Sequence, residues 1–212
     1  MARERDESKR LGILAEAKRL FAERGFHATS VQDIVKGVDL PVGTVYTYFQ
    51  NKDDIIRTAI DEGWSQFYDE VERACAAEPS PAGRMALIVD SFLPRLLADV
   101  EFISLIMSDG LRYTDINDKL ERLGALIGSV VNELARERGM TVSLSPKQAI
   151  TAIAVFFLGS MDTIRVARMA GLSLGERDVM SFIRLVIEGA FRISLPKVAP
   201  AESVPPDAGS GS

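Results

Sequence analysis

Between Thr29 and Lys52 the chain gathers hydroxyls, phenols and the Lys52 ammonium onto two short stretches: Thr29, Ser30, Thr44, Tyr46, Thr47, Tyr48 and Lys52. These groups donate hydrogen bonds, and Lys52 adds a charge, but none is paired with a histidine or a cysteine. The chemistry open to them is recognition. Hydroxyls and an ammonium suit phosphate oxygens, and side chains on a helix can reach base edges. Val42 and Gly43 complete the set. Val42 offers apolar contact to a thymine methyl, and Gly43 lets the backbone come close.

Bond-making chemistry has little to work with. His27 is the only histidine and Cys75 the only cysteine. That argues against His-ligated zinc, a CxxC motif, and Ser-His-Asp or Cys-His catalysis. No catalytic residue, metal or cofactor is expected, and an enzyme is the weakest of the function classes. His27 reads as a loop residue and Cys75 as a buried structural thiol.

For those side chains to act, short helices must hold them. Thr29 or Ser30 can cap a helix whose apolar face is Val31, Ile34 and Val35, and Asp33 three residues after Ser30 resembles a capping box. Gly37 and Asp39 fall where a turn needs positive φ. Pro41 suits the first turn of the next helix. Val45 and Phe49, four apart, face inward, and Val42, Gly43, Tyr46 and Thr47 are left outside. The pattern is a helix-turn-helix, whose second helix can enter the DNA major groove. Lys52 opens a longer helix to about Ala76, where its charge joins free N–H groups as a phosphate site. Upstream, Ser8 is placed as the N-cap of a helix over 9–24, closed by Gly25.

The remainder reads as helices over 81–98, 100–108, 116–138, 146–170 and 174–194, with Pro94 as a kink and Ser145-Pro146 as a cap followed by Pro at the first helical position. Gly139 and Gly171 read as helix ends. No stretch reads as a strand. The tail 196–212, rich in Pro, Ala, Gly and Ser, is expected to be disordered.

The 212 residues carry a formal net charge of −5, but unevenly. Residues 1–52 hold nine Lys/Arg against seven Asp/Glu, and the rest 16 against 23. A mildly basic head on an acidic body is compatible with DNA contact through the head alone. The charged N-terminus has no signal-peptide pattern, and apolar runs such as 149–161 read as too short to span a bilayer. A soluble cytoplasmic protein without a membrane partner is the expectation.

The run from Phe21 to Ile56 resembles the DNA-binding domain of the TetR family of transcriptional regulators. The resemblance rests on Phe21 to Gly25, Thr29 to Ile34, Gly43-Thr44, Tyr46, Phe49 and Lys52, and covers about residues 9–60. The chain departs from the family with Val38-Asp39-Leu40 at the turn, Pro41 before the second helix and Tyr48 where histidine is common. The resemblance implies an all-α fold: a three-helix DNA-binding domain over 1–54, then a helical ligand-binding and dimerisation domain over 55–195. It implies a homodimer pairing through helices 146–170 and 174–194, a palindromic double-stranded operator, and release by a small-molecule inducer of unknown identity. DNA contact then falls to Thr29, Ser30, Val42, Gly43, Thr44, Tyr46, Thr47, Tyr48 and Lys52. Candidates for a ligand pocket are the polar Asp90, Arg112, Asn132 and Asp162, with Trp64, Tyr68, Phe92, Met107 and Phe156 as walls. Asp162 can equally pair with Arg165 one turn on. Arg3, Arg5, Lys9 and Arg10 are either an arm reaching DNA or a solvated tail. The alternative from another class is a helical ligand-sensing protein that acts through protein contacts without specific DNA binding.

Overall fold

A computed structural model describes residues 2–98 and 113–198, with side chains from Asp6 onward except that of Ile116. The described chain is all-α, with no strand. In order, the helices are α1 (Ala2–Arg24), α2 (Val31–Val38), α3 (Val42–Tyr48), α4 (Lys52–Ala77), α5 (Pro81–Leu87), α6 (Leu93–Ala98), α7 (Ile116–Glu137), α8 (Pro146–Ala170) and α9 (Glu176–Phe191). The expected helix 100–108, and with it Met107 and Arg112, lies outside the described residues, as does the tail from 199.

Two compact units share the chain: Met1–Glu70 with Asp99–Gly124, and Val71–Ala98 with Ala125–Ser212. The first therefore extends beyond the sequence-based boundary at residue 54, which falls inside α4. Both unit boundaries that interrupt a helix do so in α4 and α7.

The core of the first unit is built from Ile13, Ala17, Leu20 and Phe21 of α1, Ile34 and Val35 of α2, Val45 of α3, and Ile55, Ile56 and Ala59 of α4, closed by Phe26 and Phe49. The periodicity that marks these residues in the sequence is the periodicity that buries them. α1 starts at Ala2 rather than Lys9, so Ser8 lies within the helix instead of capping it. Ion pairs hold this extension: Arg10 meets Glu7 at 2.7 Å and Glu62 of α4 at 2.7 Å. Gly25, at φ 84°, ends α1 in the left-handed conformation that suits glycine.

In the second unit, the stretch 81–98 is interrupted by a single π turn at Ile88–Phe92. Its physical reason is Pro94. A proline cannot donate to the carbonyl four residues back and its ring crowds that carbonyl, and widening the turn before it relieves the clash. The N–H of Leu93 accordingly reaches back to Ile88 O. α9 packs on α8, α6 and the π turn. Its Arg184 pairs with Asp90 of the π turn and donates to the carbonyls of Leu195 and Pro196, while Glu188 accepts from Leu195 N–H at 2.8 Å. One guanidinium thus ties down the chain after α9. α8 begins as expected, with Ser145 and Gln148 forming a capping box and Pro146 at the first position. At 25 residues with mean hydropathy 1.6 over its most apolar window, α8 is long and apolar enough to cross a membrane. The shorter apolar run read from the sequence had understated it.

Candidate nucleic-acid interface

The α2–α3 pair is set by two local devices. Ser30 caps α2: its hydroxyl accepts from Asp33 N–H at 3.1 Å, and the Asp33 carboxylate accepts from Ser30 N–H at 3.0 Å. These bonds from Ser30 hold the Asp33 carboxyl below its ordinary pKa. At the other end Asp39 adopts φ 52°, ψ 45° and donates its N–H to Val35 O. The left-handed residue of the turn is therefore Asp39. Gly37 lies inside α2, where a Cβ would fall 2.0 Å from the Glu16 carboxylate. Pro41 sits one place earlier than expected, as the N-cap of α3 with φ −61° and ψ 140°, and makes no side-chain cap.

α3 has two faces. Val45 is buried in the core with Phe49, as the sequence spacing required. On the opposite side Tyr46 is 54% exposed and Val42 38% exposed. Gly43 has open space where a Cβ would stand. Thr47 is exposed and donates to Thr44 O at 2.6 Å; Thr44 is half-buried. The outer face of α3 is thus a continuous surface of one apolar residue, a bare backbone position, a phenol and hydroxyls.

Three members of the sequence-derived set sit differently. Thr29 is 1% exposed, and its hydroxyl donates inward to Gly25 O at 2.9 Å and Leu20 O at 3.3 Å. Its hydroxyl closes the α1–α2 corner and is not available to a phosphate. The Lys52 ammonium also turns inward, donating to Phe26 O at 2.7 Å and Thr29 O at 2.8 Å, and stands 4.2 Å from the Phe26 ring centre. Burial pushes its pKa down. Lys52 is a strut between α4 and the α1–α2 loop rather than a free phosphate ligand. The α4 N-terminus is capped instead by Asn51, whose side-chain oxygen accepts from Asp54 N–H at 2.8 Å. Tyr48, half-buried with its ring tilted 51° on Phe49, donates its hydroxyl to Asp6 of α1. That bond raises the Tyr48 pKa. Sequence reading had no signal for Asp6, which lies 42 residues away and belongs to an unremarkable charge run.

The described pocket candidates fall in both units. In the first unit, Tyr68 is buried under the Arg122 guanidinium at 4.1 Å, and the Trp64 indole N–H is buried with no partner among the described residues. In the second, Asp90 is taken by Arg184, and the Asn132 amide holds Leu144 through its N–H at 2.6 Å and its C=O at 2.9 Å. Asp162 is exposed and pairs with Arg165, the plainer of its two readings. Phe92 is buried with Arg95 over its ring, and Phe156 is exposed. A cleft of about 390 Å³ in this unit is lined by Pro79, Pro81, Arg84, Glu133, Arg136 and Glu137, none of them a candidate.

Residues 13–59 match the family model of bacterial regulatory proteins, tetR family. The head belongs to the tetR family. The matched segment runs from the buried face of α1 through α2 and α3 into α4 and so includes the two-faced α3. The fatty acid metabolism regulator protein of Bacillus subtilis is 30% identical over 91 residues, covering 43% of this chain and 47% of that protein. The chain thus spans about half the length of that relative. The HTH-type transcriptional regulator UidR of Escherichia coli is 26% identical over 185 residues, 82% of this chain and 92% of that one. Among solved structures, a transcriptional regulator from Saccharomonospora viridis in complex with choline superposes with a TM-score of 0.72 at 19% identity, covering 86% of this chain and 96% of that one. FadR from Bacillus subtilis in complex with stearoyl-CoA gives 0.60 at 19% identity, covering 89% and 99%. These likenesses show that the tetR-family head is followed by a helical body of the same fold.

Proposed function

We propose that this protein is a cytoplasmic, homodimeric transcriptional regulator, a repressor released from a palindromic operator by a small-molecule inducer. The observation that carries the reading is the outer face of α3: Val42, Gly43, Tyr46 and Thr47 stand exposed on a tetR-family head, the Tyr46 ring without a partner among the described residues. Such a face suits the major groove, where an apolar side chain meets thymine methyls and a hydroxyl meets base edges or phosphates. Thr44, Tyr48 and Ser30 border it.

The dimer rests on α8 and α9. Val155 (65% exposed), Phe182 (61%) and Leu185 (66%) leave large apolar surface bare on one chain. Exposed apolar area of this kind marks an interface. α8 also carries Asp162, Arg165 and Arg168, and buries Met161, Ile164 and Ala167 within its unit, which suits a partner helix better than lipid. A two-fold dimer presents two α3 helices, hence the palindrome. Solved relatives of the fold hold stearoyl-CoA in one case and choline in another, so the fold accommodates effectors of unlike chemistry. An inducer favouring a head arrangement unsuited to DNA lowers operator affinity by population shift.

The test is selection of duplexes from a random pool by the full-length protein, with gel shift on DNA upstream of its own gene. Tyr46→Ala is expected to weaken binding to the selected duplex about tenfold or more at unchanged thermal stability, in line with the ~1–3 kcal/mol of a specific base contact. A folded dimer that enriches no sequence sinks the proposal.

A further inference from the structure

We infer that Asp6 limits DNA affinity by holding the one proton of the Tyr48 phenol, a hydrogen bond that a DNA phosphate has to take over. The inference rests on the reading of α3 and its borders as the DNA-contacting surface.

The ring of Tyr48 is fixed by packing. It is half-buried, lies beside the buried Phe49 at 6.4 Å between centres, and packs against the core of the first unit. Only its hydroxyl is free to choose a partner. In the free head that partner is the Asp6 carboxylate, on the N-terminal part of α1. A phenol has one proton to donate, and both an ionised carboxylate and a phosphate diester are acceptors only. A phosphate approaching Tyr48 therefore meets a hydroxyl turned toward another anion, with that anion within hydrogen-bond reach of the same oxygen. The neighbouring carboxylate, Glu7, is neutralised by Arg10, which also engages Glu62. No such cation is seen on Asp6 among the contacts of the described side chains. Binding then carries two costs, a charge-assisted hydrogen bond given up and a like-charge approach. Both vanish if Asp6 loses its charge. An Asn at this position can donate its amide N–H to the phenol oxygen, leaving the phenol proton for the phosphate.

The direction is unusual for a residue at a nucleic-acid interface, because the variant is expected to bind better. The experiment uses the full chain and a mixed-sequence duplex of roughly 30 base pairs at low salt, since phosphate contact needs no particular sequence. Affinity is measured for the parent, Asp6→Asn, Tyr48→Phe and the double variant, with thermal melting of each as the control for folding. Asp6→Asn is expected to tighten binding about three- to tenfold in the parent and less than about twofold in the Tyr48→Phe background, the difference being the coupling of the two residues. An equal gain in both backgrounds identifies a general charge effect and overturns the inference. So does unchanged or weaker binding by Asp6→Asn, which would make Asp6 a helpful orienter or a bystander. Failure of the parent to bind any duplex at low salt removes the DNA reading itself and the inference with it.

Discussion

At the scale of single residues, hydrogen-bond accounting separates structural roles from recognition. Lys52 and Tyr46 carry equally suggestive groups, yet Lys52 spends two of its three N–H donors on Phe26 and Thr29 carbonyls and Tyr46 stands in solvent. Replacing Lys52 by Met leaves those carbonyls without their donor. The expected cost is about 2 kcal/mol of head stability, read as a lower denaturation midpoint, since hydrogen bonds to charged groups contribute about 1.5–3 kcal/mol. An unchanged midpoint would return Lys52 to the surface. The capping carboxylates supply a pH dependence. Asp33, through Ser30, and Asp54, through the Gln50 N–H, have folded pKa values below their unfolded ones. Their contribution is therefore complete above the ordinary carboxylate pKa of about 3.9 and is lost as pH falls through the lowered folded values. Asp33→Asn is expected to flatten the acid side of the melting-temperature profile while leaving the slope above pH 6 or so unchanged.

At the scale of elements, the turn between α2 and α3 is the least relaxed part of the head. Asp39 holds φ 52°, a conformation that glycine enters without the Cβ clash. Asp39→Gly is expected to stabilise the protein by about 0.5–1 kcal/mol, the strain removed exceeding the extra unfolded-chain entropy of glycine. Thermal melting decides it, and a lower melting temperature would mean that the Asp39 side chain contributes more than its backbone costs. The π turn at Ile88–Phe92 is a comparable local solution. It follows from Pro94, and it places Asp90 where Arg184 can neutralise it.

At the scale of the whole molecule, two units of different character share the chain. The first is a finished core: the apolar faces of α1, α2, α3 and α4 bury one another, and what remains outside on α3 is mostly polar or small. The second keeps Val155, Phe182 and Leu185 bare on long helices. Leu185→Glu places a charge in the centre of that apolar surface. It is expected to convert a dimer into monomer at micromolar concentration, measured by sedimentation, because an unpaired interfacial charge costs several kcal/mol. Operator affinity is expected to fall with it, as the second half-site is lost. Retention of the dimer would place the subunit interface elsewhere.

The start of α1 and the π turn within 81–98 came from the structure, while the sequence alone marked most of the described helices, the helix-turn-helix and its inward residues. Those features are local: caps at Ser30 and Ser145, the proline at 146, glycines at 25 and 171, and apolar spacing all act within a turn or two of the residue concerned. It also marked the outer face of α3, because a buried stripe of known period fixes which positions lie opposite. What it could not determine were the partners of groups free to choose among distant acceptors. Only the folded chain brings Asp6 to Tyr48, Glu62 to Arg10, Asp90 to Arg184, and the Phe26 and Thr29 carbonyls to Lys52. Hydroxyls, carboxylates and ammonium groups look alike along a sequence. Whether each faces a phosphate or a backbone carbonyl is decided by which surfaces tertiary packing brings within 3 Å or so of them.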